Sequence, residues 1–175
     1  MCAFPVNADH IAPQDGGFEP QRQNLYDVEF YGVPGIGELS LSLASANLPG
    51  TTNDAIEIPF RNEVRYVAGA ARVDDFAISF RDYTDALTHQ AIMTWRRLVY
   101  DPATGRIGRA ASYKRRGKVI MFGPDGENER SWSLIGIWPM NDPPMSFDSG
   151  SQDQIMLEVT FKVDKVIPDP MFYTT

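Results

Sequence analysis

The sequence predicts a mainly β protein: an antiparallel β-sandwich or barrel of about seven strands with one flanking α-helix. Three observations support this prediction. Several short segments alternate apolar and polar residues with the period of a half-buried strand, and turn residues separate those segments. A single longer segment has its apolar residues at helical spacing. The regular strand–helix alternation that indicates a parallel sheet is absent, so the strands are expected to pair antiparallel.

The first two strands are predicted at residues 25–31 and 38–44. In the first, Tyr26, Val28 and Phe30 share one face, and in the second, leucines alternate with serines. The glycine-rich segment 32–37 lies between them. A phosphate-binding loop would need a helix N-terminus directly after it. Since a strand pattern follows instead, we interpret this segment as a hairpin turn.

Residues 45–55 have the composition of a loop, and alternation resumes at residues 56–60 and 64–67. Pro59 has no N–H to donate, which favours a sheet edge or a break at that position. A long, interrupted hairpin of this kind is either a contact arm that leaves its own domain or an ordinary surface hairpin. The sequence leaves both interpretations open.

One strand is predicted at residues 76–80, and the helix at residues 83–100, with Asp82 or Thr84 as its cap. The Asp-Pro pair at 101–102 ends the helix. Six apolar residues are expected on the buried face of the helix: Leu87, Ala91, Ile92, Trp95, Leu98 and Val99.

The strongest local signal is a hairpin over residues 118–139, because two β-rich runs flank a Pro-Asp-Gly turn. Residues 102–117 before it and 140–154 after it are expected to be loops. The last strand is predicted at residues 155–165, where apolar and polar residues alternate throughout. We therefore predict an N-terminal arm (1–23), a single β domain (24–166) and an irregular C-terminal tail (167–175).

Charge is unevenly distributed along the chain. The formal net charge is −7, which argues against a protein whose task is to grip nucleic acid. Half of the 16 lysines and arginines nevertheless lie in residues 96–118, beside one acid, Asp101. A basic segment on an acidic body can bind another copy of the same chain, so the pattern is weak support for self-assembly.

No catalytic, cofactor or metal site is predicted. The two histidines, His10 and His89, are far apart in sequence, and ligand spacing with cysteines is absent. Cys2 is the single cysteine, so it cannot form an internal disulfide, and no nearby basic residue would activate it. Paired acids such as Asp74 and Asp75 are interpreted as solvated loop residues. An enzyme is the function class that the sequence supports least.

In its order of motifs the sequence resembles the major tail tube, or inner tube, protein of contractile-tailed bacteriophages. The resemblance extends over about residues 24–166, and its most specific part is Gly136-Ile-Trp-Pro139. The motifs are residues 24–30 (NLYDVEF), 46–50 (ANLPG), 58–62 (IPFRN), 67–69 (VAG), 74–80 (DDFAISF), 113–114 (YK), 134–139 (LIGIWP) and 158–161 (EVTF).

The resemblance implies a structural virion protein without cofactors. Six copies would form a ring, and rings would stack into a hollow tube inside a contractile sheath. A tape-measure protein would occupy the lumen during assembly, baseplate and tail-terminator proteins would bind the two ends, and DNA would pass through without sequence-specific binding. Such a protein is assembled in the host cytoplasm, and it has no membrane anchor.

Two sets of residues follow as hypotheses. Acids expected to face the lumen are Glu57, Glu63, Glu158 and Asp164. Expected assembly contacts are Asn47, Leu48, Pro49, Arg106, Arg109, Lys114, Arg115 and Arg116. Two alternatives remain: the inner-tube subunit of a phage-derived contractile injection or secretion system, and, from a different class, a monomeric β-sandwich binding module.

Overall fold

The computed structural model describes residues 21–33, 35–145, 147–150 and 152–169. Most of the predicted N-terminal arm and the end of the predicted tail lie outside these ranges. The described residues form three helices: α1 (Ile36–Leu41), α2 (Leu87–Val99) and α3 (Ala110–Tyr113). They form eleven strands: β1 (Tyr26–Tyr31), β2 (Leu43–Ala46), β3 (Thr51–Phe60), β4 (Glu63–Val73), β5 (Phe76–Arg81), β6 (Tyr100–Asp101), β7 (Arg106–Ile107), β8 (Arg115–Phe122), β9 (Asn128–Pro139), β10 (Met156–Lys162) and β11 (Lys165–Pro168).

Seven strands build the main antiparallel sheet, which confirms the predicted fold class. Their order is β1-β8-β9-β10-β5-β2, and β11 also pairs with β9. Strand β9 connects the two halves of the sheet, because its first part pairs with β8 and β11 while its end pairs with β10. The chain adopts a left-handed conformation at Gly136, with φ of 73°, two residues before the pairing with β10 begins at Trp138.

The core lies between the inward faces of this curved sheet and helix α2. Alternate residues of β1, β5 and β10 are buried, as the period-two pattern predicts. Trp95 of α2 is completely buried, with its ring 5.8 Å from Phe30 and 5.5 Å from Phe161. Its indole Nε1 donates a hydrogen bond of 2.8 Å to the Tyr113 carbonyl oxygen. One tryptophan therefore fixes α2 to both halves of the sheet.

Helix α2 confirms the predicted helix with a shorter N-terminal end. It begins after Ala86, which has a left-handed φ of 54°, and neither predicted cap, Asp82 or Thr84, provides a side-chain cap. Asp85 instead accepts a hydrogen bond from the backbone N–H of Leu87 at 3.3 Å. Of the predicted apolar face, Leu87 and Leu98 remain partly exposed.

The predicted strand at residues 38–44 is wrong. Helix α1 occupies most of it, and only its end contributes to β2. Leu39 is buried and Leu41 is 82% exposed, because residues two apart point to different sides of a helix. The reason given for excluding a phosphate-binding loop at residues 32–37 is therefore also wrong. The segment still lacks the Gly-Lys-Ser/Thr sequence of such a loop.

Three further expectations need correction. Most of the predicted loop at 45–55 is strand, because β2 extends to Ala46 and β3 begins at Thr51. The predicted loop at 102–117 contains β7, α3 and the start of β8, so, together with α1, the described residues include two short helices besides the expected one. The predicted irregular tail begins inside β11, which pairs with β9 as far as Pro168.

Candidate assembly site

The most unusual surface is the hairpin of β3 and β4, called here the long hairpin. Its two strands form a sheet of their own, and within the described residues they pair only with each other. Each strand therefore has an unpaired backbone edge, a feature that soluble monomers usually avoid. No described residue of the long hairpin is buried. Of the two alternatives predicted for Pro59, the break is absent, because Pro59 pairs with Val64, and the sheet edge is found, because β3 pairs only with β4 within the described residues.

Both faces of the long hairpin carry apolar side chains. Directly paired residues share a face, so Ile56 and Val67 lie on one side, and Tyr66 and Val64 on the other. Six large apolar side chains of the hairpin are between 47% and 65% exposed: Ile56, Ile58, Phe60, Val64, Tyr66 and Val67. An exposed apolar patch of this size indicates a contact surface.

Local interactions hold the long hairpin in shape at its two ends. At the base, the Asp74 backbone N–H donates to the Gly50 carbonyl oxygen at 3.0 Å. Arg72 and Asp54 form an ion pair of 2.8 Å across the strands. At the tip, the Arg65 guanidinium lies 5.2 Å from the centre of the Phe60 ring. The hairpin is thus an ordered element, although it has little contact with the core.

The predicted assembly contacts at residues 47–49 differ in their exposure to solvent. Asn47 and Leu48 are exposed, whereas Pro49 is buried and has no free surface to offer. The Asn47 backbone N–H donates to the Ala77 carbonyl oxygen at 3.1 Å. This short segment connects β2 to the long hairpin, so its exposed residues lie beside the base of the hairpin.

The predicted basic contacts also fall into two groups. Lys114 pairs with Asp164 at 2.6 Å, and Arg115 Nε donates to the Gly32 carbonyl oxygen at 2.8 Å. Those two residues connect parts of their own subunit. Arg106, Arg109 and Arg116 are exposed, and no described ion pair involves them. The exposed group is the one available to a partner.

The four predicted lumen acids are all exposed, but they do not form one cluster. Glu57 and Glu63 lie on opposite faces of the long hairpin, since Glu57 is paired with Tyr66 and Glu63 with Phe60. Glu158 projects outward from β10. Asp164 lies in the turn after β10 rather than on the strand, and its charge is compensated by Lys114.

Nothing in the described part of the chain suggests chemistry. It contains no group of three or more His, Cys, Asp or Glu side chains that could hold a metal ion. The lowered pKa of Asp101 results mainly from the Thr104 hydroxyl, with a contribution from the Ala103 N–H, so it reflects a turn. The pKa of Tyr31 is raised by its hydrogen bond to Glu29. None of the described helices has the length and apolarity needed to cross a membrane.

The exposed apolar residues of the long hairpin are the candidate contact residues that sequence reasoning did not identify. The alternation at residues 56–60 suggests one buried face. The signal against burial is in β4, where Val64, Tyr66 and Val67 put apolar side chains on both faces. A strand with apolar residues on both faces has to be covered on both faces, and here its own domain covers neither.

Comparison with solved structures identifies the fold. No family model and no curated protein matches this chain. A chain from the extended-state sheath/tube terminator of the extracellular contractile injection system PVC superposes with a TM-score of 0.69 at 15% identity, covering 87% of this chain and 98% of the other. The tube-terminating cap of the anti-feeding prophage AFP gives a TM-score of 0.69 at 18% identity, covering 95% and 99%.

A third similar structure comes from the extended PVC sheath–tube complex. Its TM-score is 0.65 at 15% identity, and the match covers 86% of this chain and 91% of the other. The chain therefore has the fold found in tube and tube-terminator structures of phage-like contractile injection systems. The fold predicted from the tail-tube resemblance is confirmed.

Proposed function

We propose that this chain is a structural subunit that forms hexameric rings, and that these rings stack into the hollow inner tube of a phage tail or a phage-derived contractile injection particle. The observation that supports this most strongly is the long hairpin, with apolar side chains on both faces and two unpaired edges. Contacts between one patch and a different patch on the next copy generate rings or filaments.

The remaining roles follow from that assembly. A contractile sheath would surround the tube, and a tape-measure protein would occupy its lumen before DNA passes through. Baseplate and terminator proteins would bind its ends. The particle would be assembled in the host cytoplasm and act as part of a virion or an injection device. The net charge of −7 supports passage of DNA, because phosphates are repelled by an acidic wall.

Apolar burial, rather than ion pairing, should dominate the assembly free energy. Fully burying one large apolar side chain contributes about 1.5–3 kcal/mol, so the half-exposed side chains of the hairpin would add roughly 1 kcal/mol each. An exposed ion pair contributes only about 0.2–1 kcal/mol. The six side chains together therefore outweigh the three free arginines of the basic segment, which would mainly select orientation.

The first experiment is electron microscopy of the concentrated, purified protein. We expect rings or tubes from the natural sequence. The double variant Ile58→Asp/Phe60→Asp should remain folded and lose them, because it places charge on the apolar surface of the hairpin. The matched control is Leu41→Asp/Phe147→Asp, which adds the same two negative charges at exposed apolar residues outside the hairpin. Small featureless particles from the natural sequence would favour a monomeric binding module instead.

A tube terminator is a second candidate, and one observation favours it. The match to the AFP cap covers 95% of this chain and nearly all of that one. A terminator would form a single ring that stops growth, whereas a tube subunit would form rings that continue to stack. Tube length as a function of protein concentration separates the two functions, since only a tube subunit should give longer tubes at higher concentration.

The lumen hypothesis requires its own test in assembled tubes. In a Cys2→Ser background, cysteines introduced singly at Glu57, Glu63 and Glu158 are compared by their reaction with a small maleimide and with a bulky polyethylene-glycol maleimide. A lumen position away from the tube ends should accept only the small reagent. Since Glu57 and Glu63 lie on opposite faces of the hairpin, we expect only one of them to face the lumen, and the two cysteines should then react differently. Equal access of the bulky reagent to all three would contradict the hypothesis.

A further inference from the structure

Both ends of helix α2 carry exposed apolar side chains beside charged ones, and the charges at the two ends have opposite signs. The helix has 13 residues and is therefore about 20 Å long, so its ends belong to two separate surfaces of the subunit. A molecule with two different but complementary surfaces can bind a copy of itself head to tail.

The first surface, called here the basic patch, lies at the C-terminal end of α2. Tyr100 of β6 is paired with Ile107 of β7, so their side chains share a face. The Gly108 N–H donates to the Val99 carbonyl oxygen at 2.9 Å, which holds this strand pair against the end of the helix. The basic patch contains three apolar side chains that are between 36% and 79% exposed and three exposed arginines: Leu98, Tyr100, Ile107, Arg97, Arg106 and Arg109.

The second surface, called here the acidic patch, lies at the N-terminal end of α2. The Asp82 N–H donates to the Ile155 carbonyl oxygen at 3.0 Å, which brings the start of β10 beside the turn that precedes the helix. The nearest cation in sequence, Arg81, lies in the wall of a cleft that includes no member of this patch. The acidic patch contains three apolar side chains that are between 39% and 46% exposed, one exposed acid and one half-buried acid: Tyr83, Leu87, Met156, Asp85 and Asp82.

The dipole of α2 explains only part of this arrangement. A carboxylate near the N-terminus of a helix and an arginine near its C-terminus stabilise the helix, which accounts for Asp85 and Arg97. Arg106 and Arg109 lie outside α2, and neither takes part in an ion pair within the described residues. The helix dipole also does not require exposed apolar side chains at both ends. Those side chains and the two additional arginines indicate surfaces that contact another protein.

We propose that the basic patch of one subunit binds the acidic patch of another copy of this chain. The apolar side chains of the two patches pack together, and the arginines face the carboxylates, so the two charges are complementary. This inference rests on the proposed tube, in which copies must meet both within a ring and between rings. The two patches supply a contact of the required head-to-tail kind in addition to the long hairpin.

Disulfide trapping in the full-length protein tests this contact. In a Cys2→Ser background, Ile107→Cys protein is mixed with Leu87→Cys protein before assembly and is then mildly oxidised. We expect disulfide-linked dimers that contain one chain of each kind, identified by mass spectrometry. The matched control mixes Ile107→Cys with Ile167→Cys, because Ile167 of β11 is 45% exposed, close to the 44% of Leu87, and lies outside both patches. The control should give at least about five-fold less mixed dimer.

An exchange of charges tests the complementarity. Arg109→Glu in the first protein, or Asp85→Lys in the second, should each lower the yield of mixed dimer by about two- to five-fold, the range for one exposed ion pair. The two changes together should restore the yield, because opposite charges then face each other again. Asp85→Asn keeps an acceptor for the N–H of residue 87 and should lower the yield less than Asp85→Lys. Asp125→Lys, in the exposed turn between β8 and β9, makes the same charge change outside both patches and should have no effect.

Two results would overturn this proposal. One is an equal yield of mixed dimer with Leu87→Cys and with Ile167→Cys, and the other is a combined charge variant that gives no more dimer than the single variants. Electron microscopy of the same mixtures keeps this proposal and the tube proposal apart. Tubes without the mixed disulfide would refute the contact between patches and leave the tube proposal intact. The mixed disulfide without rings or tubes would support the contact and refute the tube.

Discussion

Gly136 shows most clearly how one residue determines the path of the sheet. Its φ of 73° is a conformation that residues with a Cβ rarely adopt. A Cβ placed there would overlap the Asp164 carboxylate, lying 2.6 Å from its Cγ. Asp164 itself is held by Lys114 and by its backbone hydrogen bond to the Ile135 carbonyl oxygen at 3.0 Å. Moving the Asp164 carboxylate away from an added Cβ would disturb its ion pair with Lys114.

Gly136→Ala should therefore destabilise the fold by about 2–4 kcal/mol, from the strained backbone together with the clash. The matched control is Gly126→Ala, because Gly126 has a similar φ of 80° and no atom within 4 Å of the added Cβ. The control should lose only about 1 kcal/mol. Urea unfolding of both variants provides the comparison, and equal losses would show that Asp164 can move aside.

The structural role of some individual residues could be predicted from the sequence, and that of others could not. Trp95 could be predicted as a core residue from its helical spacing alone. Gly136 could be singled out only as part of a family motif. Its positive φ and its contact with the Asp164 carboxylate arise from tertiary structure, so the sequence alone does not predict them. Leu41 was misplaced for a related reason: Leu39, Leu41 and Leu43 fit strand spacing, but the chain folds the first two into a helix.

Asp101 allows a prediction of pH dependence in the turn between β6 and β7. Its pKa lies below the ordinary value of 3.8 because the Thr104 hydroxyl and the Ala103 N–H donate to it. The carboxylate is thus favoured in the folded state. Its contribution is present above pH 3.8 and is lost as pH falls through the lower, folded-state pKa. An NMR titration of the Asp101 carboxyl carbon should show this, and an unshifted midpoint would contradict it.

The long hairpin contributes no buried residue to the core of its own domain. Its residues are exposed or, at Gly69 and Val73, only partly covered. The domain core lies instead among β1, β5, β8, β9, β10 and α2. An element of this kind costs conformational entropy to order, and only a partner can compensate for that cost through burial.

Replacing residues 53–71 by a short Gly-Ser turn should accordingly leave the subunit intact. The base contacts at Gly50 and Asp74 are retained, so the free energy of unfolding should change by less than about 1 kcal/mol, the usual range for surface changes. Assembly into rings or tubes should be lost. Urea unfolding and electron microscopy measure the two effects, and normal tubes from the shortened chain would refute the role of the hairpin.

The sequence predicts an element accurately where one face of that element is buried in the core. Strands β1, β5 and β10 and the hairpin of β8 and β9 were recognisable, because one buried face imposes a period of two. The long hairpin was predicted, but its strands were predicted too short. A strand that its own domain leaves exposed need not alternate apolar and polar residues, so its ends are hard to recognise in the sequence. The strand pair β6–β7 and the helix α3 were not predicted, because elements of two to four residues are too short to show a period.

At the scale of the whole molecule, charge is separated along the chain. Residues 96–118 contain eight basic residues and one acid, whereas the remainder contains the other eight basic residues and 22 acids. Lys114, Arg115 and Arg96 are engaged within the subunit, Arg96 through an ion pair of 3.2 Å with Asp142. The exposed arginines are thus free to meet the acidic surface of another copy.

Arg106→Glu/Arg109→Glu should therefore weaken assembly, and raising the ionic strength should weaken assembly of the natural sequence in the same direction. A single exposed change, Arg130→Glu, serves as the control outside the basic segment. Light scattering against protein concentration at low and high salt measures the effect. Assembly that is insensitive to both the double variant and salt would show that these arginines face solvent in the tube.

The pairing of early strands with late ones has a consequence for the timing of folding. Tyr26 of β1 is paired with Met121 of β8, and Phe76 of β5 with Phe161 of β10. During synthesis, β1 and β5 must therefore wait for partner strands that are synthesised later. Such long-range pairing makes folding slow. Meanwhile the long hairpin, whose strands pair locally, can form first, so its apolar surface is present before the rest of the subunit has folded.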